Sequence, residues 1–81
     1  MSLIQKIVAS NIRYFMNERG MSQGELTVKS AVGPGSISIA VHGSGTQGIT
    51  LESLALIAEA LGVDPGDLVD DWRGELDARH D

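Results

Sequence analysis

The chain has 81 residues, enough for one domain and too few for a second core. Hydrophobic residues make up 42% and charged residues 21%, an ordinary globular balance, and with Tyr14, Phe15 and Trp72 as the aromatics the core must be aliphatic. There is no cysteine, which excludes disulfides and thiolate metal sites, and no apolar run reaches the length of a membrane span or a signal-peptide core, so a cytoplasmic location is expected. The net charge of −5 argues at first against a nucleic-acid partner, but the charge is unevenly placed. Residues 1–50 carry Lys6, Arg13, Arg19 and Lys29 against Glu18 and Glu25, whereas residues 51–81 carry Arg73 and Arg79 against nine acidic residues. A weakly basic first half, at +2, is thus joined to an acidic second half, at −7.

In chain order, Leu3, Ile4, Ile7, Val8, Ile12, Phe15 and Met16 recur in steps of three and four, which predicts one apolar helical face between Ser2 as N-cap and Gly20 as stop. Ser22 and Glu25 have the spacing of a capping box, with Met21 and Leu26 at the two staple positions, so a second helix starts there and runs to about Ser30. A third, short helix is predicted from Pro34 to His42, with Gly33 as N-cap, Pro34 in the first position where a missing N–H is harmless, and Val32 and Ile37 as the staple. The alternation Ser36-Ile37-Ser38-Ile39 fits a strand as well as a helix when taken alone. Gly43 to Gly48 reads as a loop. Thr50 caps a fourth helix, stapled by Ile49 and Leu54, whose apolar face is Leu51, Leu54, Ala55, Ile57, Ala58 and Leu61, ended by Gly62. Asp64 caps a fifth, with Pro65 first and Val63 and Leu68 as the staple. From Asp70 onward the chain is polar and acidic and is expected to fray.

A tight connection between the second and third of five short helices suggests a helix-turn-helix unit. Asn11-Ile12-Arg13, then Glu18-Arg19-Gly20-Met21-Ser22-Gln23, Glu25-Leu26, Val32, Ile37-Ser38 and Gly43 keep one ungapped register with Thr50-Leu51-Glu52, Leu54, Ile57-Ala58, Ala60-Leu61-Gly62-Val63 and Asp67-Leu68. In that register, from about Val8 to Val69, the chain resembles the Cro and phage-repressor family, the xenobiotic-response-element type of regulators. The resemblance implies an all-α, five-helix lambda-repressor-like DNA-binding domain over residues 1–69, with the helix-turn-helix in helices two and three and an acidic tail over 70–81.

In that family the second helix lies across the DNA backbone and the third enters the major groove. By position, Gln23 corresponds to a phosphate contact, which the unpaired N–H groups of a helix start favour on their own account. Pro34, Gly35, Ser36, Ser38 and Ile39 correspond to the base-facing positions. These departures matter, because such positions usually carry Gln, Arg, Asn or Lys, and here Ser36 and Ser38 alone offer side-chain hydrogen bonds. Ile39 could touch a thymine methyl or pack on another protein, and Gly33 and Gly35 would let the backbone come close to DNA. Ser44, Thr46 and Gln47 could reach the phosphate backbone, or their loop is a linker. The family often pairs Arg at the position of Met16 with Glu at that of Val41; an apolar residue at both is a joint change that a folded domain tolerates.

Other chemistry is thin. His42 and His80 lie far apart with no ligand spacing, no motif places a base beside a serine, and the glycine-rich loop lacks the Gly-Lys-Ser/Thr ending of a phosphate loop. Trp72 is either a lid on the core or an anchor for a partner. The expectation is therefore a repressor-like transcriptional regulator, not an enzyme, that binds double-stranded DNA as a homodimer, with no cofactor, small-molecule substrate or membrane partner. An interaction module of the same fold that has lost base readout is the rival reading, favoured by the acidic second half and the side-chain-poor third helix.

Overall fold

The computed structural model describes residues 3–43 and 48–72. Five helices follow one another: α1 Leu3–Arg19, α2 Gln23–Ser30, α3 Pro34–His42, α4 Leu51–Leu61 and α5 Pro65–Val69, and among the described residues there is no strand. The alternating Ser36–Ile39 stretch is helical. Pro34 starts it, and its apolar members Ile37, Ala40 and Val41 then fall on one inward face.

The helix starts are fixed locally. Ser22 N–H donates to the Glu25 carboxylate at 3.0 Å and Glu25 N–H donates to Ser22 Oγ at 3.1 Å, the reciprocal pair of a capping box. That Ser22 backbone N–H first, then its hydroxyl and the charge of Lys29, hold the Glu25 carboxyl below the usual carboxylate value. The stabilisation of this helix start is therefore present above the carboxylate range and is lost as pH falls through the lowered value. Ser53 N–H donates to Thr50 Oγ1 at 3.0 Å at the start of α4, and Asp64 N–H donates to the Asp67 carboxylate at 3.2 Å at the start of α5. The four staple pairs all belong to the core. Leu26, Val32, Ile37, Leu54 and Leu68 are buried in it, and Met21, Ile49 and Val63 pack against it.

α1 packs on α3 and α5, and α2 packs on α3 and α4. The centre of the core is Ile12, Leu26, Ile37, Ile57 and Leu68, all 0% exposed. Periodicity overstates the apolar face at helix starts. Leu3 and Ile4 are 48% and 49% exposed and Leu51 is 85% exposed, because the first turns of α1 and α4 project beyond the layer that covers Ile7 and Leu54. Buried Asn11 joins the ends of the chain. Its Nδ2 donates to the carbonyls of Leu68 and Asp70, each at 2.9 Å, so α5 and the residue that follows it are tied to α1. Trp72 takes the lid position of the two open readings. Its ring lies edge-on to Tyr14 at 5.1 Å and tilted on Phe15 at 5.9 Å, and its Nε1 donates to the Asp67 carbonyl at 2.9 Å. The chain is thus held against α1 as far as Trp72, and the rest of the acidic tail, 73–81, lies outside the described residues.

Helices α1, α3 and α4 end on glycines with positive φ: Gly20 at 60°, Gly43 at 64° and Gly62 at 75°. α2 ends instead on Ala31 with φ 60°, a left-handed conformation in which a Cβ crowds the following carbonyl at a cost of roughly 1–2 kcal/mol. Ala31→Gly is expected to stabilise the domain by about 0.5–1 kcal/mol, the strain relieved less the extra entropy of glycine in the unfolded chain. Urea melts of the two proteins measure this; an unchanged midpoint would mean that the strain only equals the entropic cost of glycine, and a lower midpoint that the turn carries little strain.

Candidate nucleic-acid interface

Three residues, 31–33, join α2 to α3. The turn is rigid for specific reasons. Ala31 N–H donates to the Thr27 carbonyl at 3.1 Å, buried Ser30 accepts from Val32 N–H at 3.2 Å, and Val32 itself is buried. Ile37 and Val41 then fix the rotation of α3 about its axis, and Arg13 Nη1 of α1 donates to the Val41 carbonyl at 2.6 Å, capping the last turn of α3. With one face so committed, the other is presented to solvent. Pro34, Gly35 and His42 are exposed, and Ser36, Ser38 and Ile39 are half-buried.

Both helices of this unit begin with free backbone donors. In α2 the first intrahelical bond is from Leu26 to Ser22 and Glu25 N–H is taken by the cap, so the N–H groups of Gln23 and Gly24 have no intrahelical acceptor. In α3 the first bond is from Ile37 to Gly33 and no side chain caps the helix, which leaves the N–H groups of Gly35 and Ser36. A Cβ built on Gly35 would meet nothing within 4 Å, so the start of α3 is open to close approach. Helix starts with unpaired donors attract phosphate oxygens. The charges agree in direction. Lys6, Arg13, Arg19 and Lys29 are exposed on α1 and α2, which also carry Glu18 and Glu25; α3 carries no acidic residue; Glu52, Glu59, Asp64 and Asp67 belong to α4, α5 and the cap between them.

Of the residues expected at the interface, Gln23 occupies the first position of α2, half-buried; Pro34 and Gly35 are exposed in the first turn of α3, and Ser36 and Ser38 are half-buried on its two flanks. Ile39 stands partly apart. It contributes to the wall of an apolar groove of about 480 Å³ with Ile4, Val8, Leu51, Leu54 and Val69. Ser44, Thr46 and Gln47 lie outside the described residues. Sequence reasoning passed over His42 and Arg13. His42 follows Gly35 by two turns and Ser38 by one, so it shares their exposed face. Counting forward from Ser38 by four would have found it; the search for metal ligands did not.

Two packed helices joined by a three-residue turn, the second with an exposed outer face and both with open N-termini, define a helix-turn-helix. Residues 11–71 match the family model of the Cro/C1-type HTH DNA-binding domain. The chain belongs to that family and is a DNA-binding domain of this type. No curated protein and no solved structure matches it. Among the described residues no helix is long and apolar enough to cross a membrane.

Proposed function

We propose that the chain is a cytoplasmic, repressor-like transcriptional regulator that recognises double-stranded DNA by docking α3 in the major groove. The observation that carries this reading is the outer face of α3, free of acidic residues and flanked by the open helix starts at Gln23 and Gly35. Gln23 and the α2 donors hold phosphate, which sets the register of the domain on the duplex. Pro34, Gly35, Ser36 and Ser38 meet the groove, with Ile39 at its edge, and Ser44, Thr46 and Gln47 reach the backbone beside it. With serine the one hydrogen-bonding side chain among the base-facing positions, one copy reads few bases, and a homodimer on two half-sites about one helical turn apart supplies the remaining affinity. The protein works by occupying its site, not by chemistry on it.

Gln23→Ala is expected to weaken binding about equally for every sequence, by roughly 1 kcal/mol, because a phosphate contact carries no base information. Ser38→Ala should instead change the ranking of sequences more than the mean affinity. Selection from a randomised duplex pool, followed by anisotropy titrations at low salt, measures both. Tight binding with no sequence ranking would remove base readout. The net charge of −5 and the small side chains of α3 favour the rival reading, a protein-interaction module of the same fold, and absence of any DNA binding at low salt would select it.

A further inference from the structure

We infer that His42, with Arg13 beside it, forms a phosphate-binding site at the C-terminal end of α3, and that its charge makes DNA affinity depend on pH. The inference rests on the docking of α3 proposed above. His42 lies on the exposed face of α3, seven residues and therefore two turns beyond Gly35. At ~1.5 Å per residue the two are separated by about 10 Å along the axis. When the N-terminal turn of a recognition helix meets base edges, a side chain that far along the same face leaves the groove floor and reaches the phosphates at its lip.

An anion here meets the negative, C-terminal end of α3, so the cationic side chains around it decide the balance. α3 packs on α1 and α2 and shares the apolar groove with the start of α4. α1 brings Lys6, Arg13, Tyr14, Glu18 and Arg19; α2 brings Glu25 and Lys29; α4 brings Glu52 and Glu59; the linking residues 44–47 carry no ionisable group. Of these, Arg13 is bonded to α3 through Nη1 to the carbonyl of Val41, the residue before His42. A guanidinium has five N–H donors, so this cap leaves others for a phosphate oxygen. Glu25 is engaged at the opposite end of the helix-turn-helix, in the cap of α2. His42 is also the one basic side chain on α3 itself, in a protein whose net charge opposes DNA.

Imidazole changes charge between about pH 5 and 8. A phosphate in contact favours the protonated ring, so binding takes up a proton and affinity falls as pH rises. Anisotropy titrations of the full chain on random duplex DNA at pH 6 and pH 8, across a salt series, test this. Affinity should fall about fivefold to tenfold between the two pH values, the size of one charge-assisted contact. The salt slope should be shallower at pH 8 by up to about 0.9, one phosphate contact. His42→Gln should lower affinity at pH 6 to the level at pH 8 and flatten the profile, and His42→Lys should bind tightly at both. Arg13→Gln should weaken binding at both pH values and keep the profile. His80→Gln controls for the second histidine and should behave as the parent. Circular dichroism checks that each variant is folded. A pH profile that persists in His42→Gln, or a parent profile that is flat, overturns the site while leaving DNA docking intact. A changed ranking of sequences in His42→Gln would make it a base reader and overturn the phosphate assignment. Absence of binding at pH 6 and low salt would remove the docking of α3 and this site with it.

Discussion

Ile37→Ala is expected to destabilise the domain by about 2–5 kcal/mol, the range for removing a large aliphatic side chain from a packed core. A chain of this size is stable by only about 4–12 kcal/mol, so the loss is a large share of the whole. Ile37 is 0% exposed and occupies a particular place. It is the staple residue of α3 and lies in the same cluster as Ile12 of α1, Leu26 of α2 and Ile57 of α4. Three layers therefore lose contact atoms at one site. Because Ile37, Ala40 and Val41 set the rotation of α3, the cavity also loosens the face that carries Gly35, Ser38 and His42. Urea unfolding should show the lower midpoint with an unchanged slope, and DNA affinity measured where the variant is still folded should fall as well. A loss below about 1 kcal/mol would show that neighbours collapse into the space and that α3 is held mainly by its turn and by Arg13.

The expected loosening follows from how this fold is specified. Cap and staple residues repeat at four helix starts, and each staple pair is two side chains that must meet for the helix to begin. That is local information, and it was legible: the four predicted starts coincide with α2 to α5. The exposed first turns were not legible, because periodicity reports a face without reporting how far along the axis the body of the protein extends. Leu51 satisfies the apolar pattern of α4 and is 85% exposed. Ala31 was invisible for another reason. Its left-handed φ of 60° is imposed by the α2–α3 geometry against the preference of its own side chain.

The interface was legible in part. The residue positions on α2 and α3 came from a register shared with a family whose model the chain matches, whereas the two added residues came from packing. Arg13 is found by its bond across 28 positions of sequence to the Val41 carbonyl, a contact that no local pattern encodes. His42 needed the rotation of α3, which is known once Ile37 and Val41 are seen to be buried. The side-chain-poor outer face itself is a property of the sequence, and it places more of the binding on backbone donors and phosphate contacts than on base edges.

The apolar residues Met16 and Val41 lead to the other large effect. Val41→Glu alone should cost about 2–4 kcal/mol, since it places a carboxylate at a position that is 5% exposed and near the C-terminal, negative end of α3. Met16 is half-buried on α1 and packs against the cluster that contains Val41, and α1 packs on α3, the arrangement that a shared space between the two positions requires. Met16→Arg combined with Val41→Glu should therefore recover at least about 1 kcal/mol, the coupling energy expected for neighbours that share one environment. Arg13 complicates the single variant. Its guanidinium already lies at the Val41 carbonyl, and it could turn to the introduced carboxylate and reduce the cost. Arg13→Gln in the Val41→Glu background separates the two partners: if Arg13 supplies the pairing, this variant is less stable than the sum of its single changes, and the Met16→Arg rescue grows. Thermal and urea melts of the parent, the single variants and the combinations give the coupling directly. A double variant no more stable than Val41→Glu would show that Met16 and Val41 do not share a space in which charges can meet, and that the apolar residues at the two positions are independent of one another.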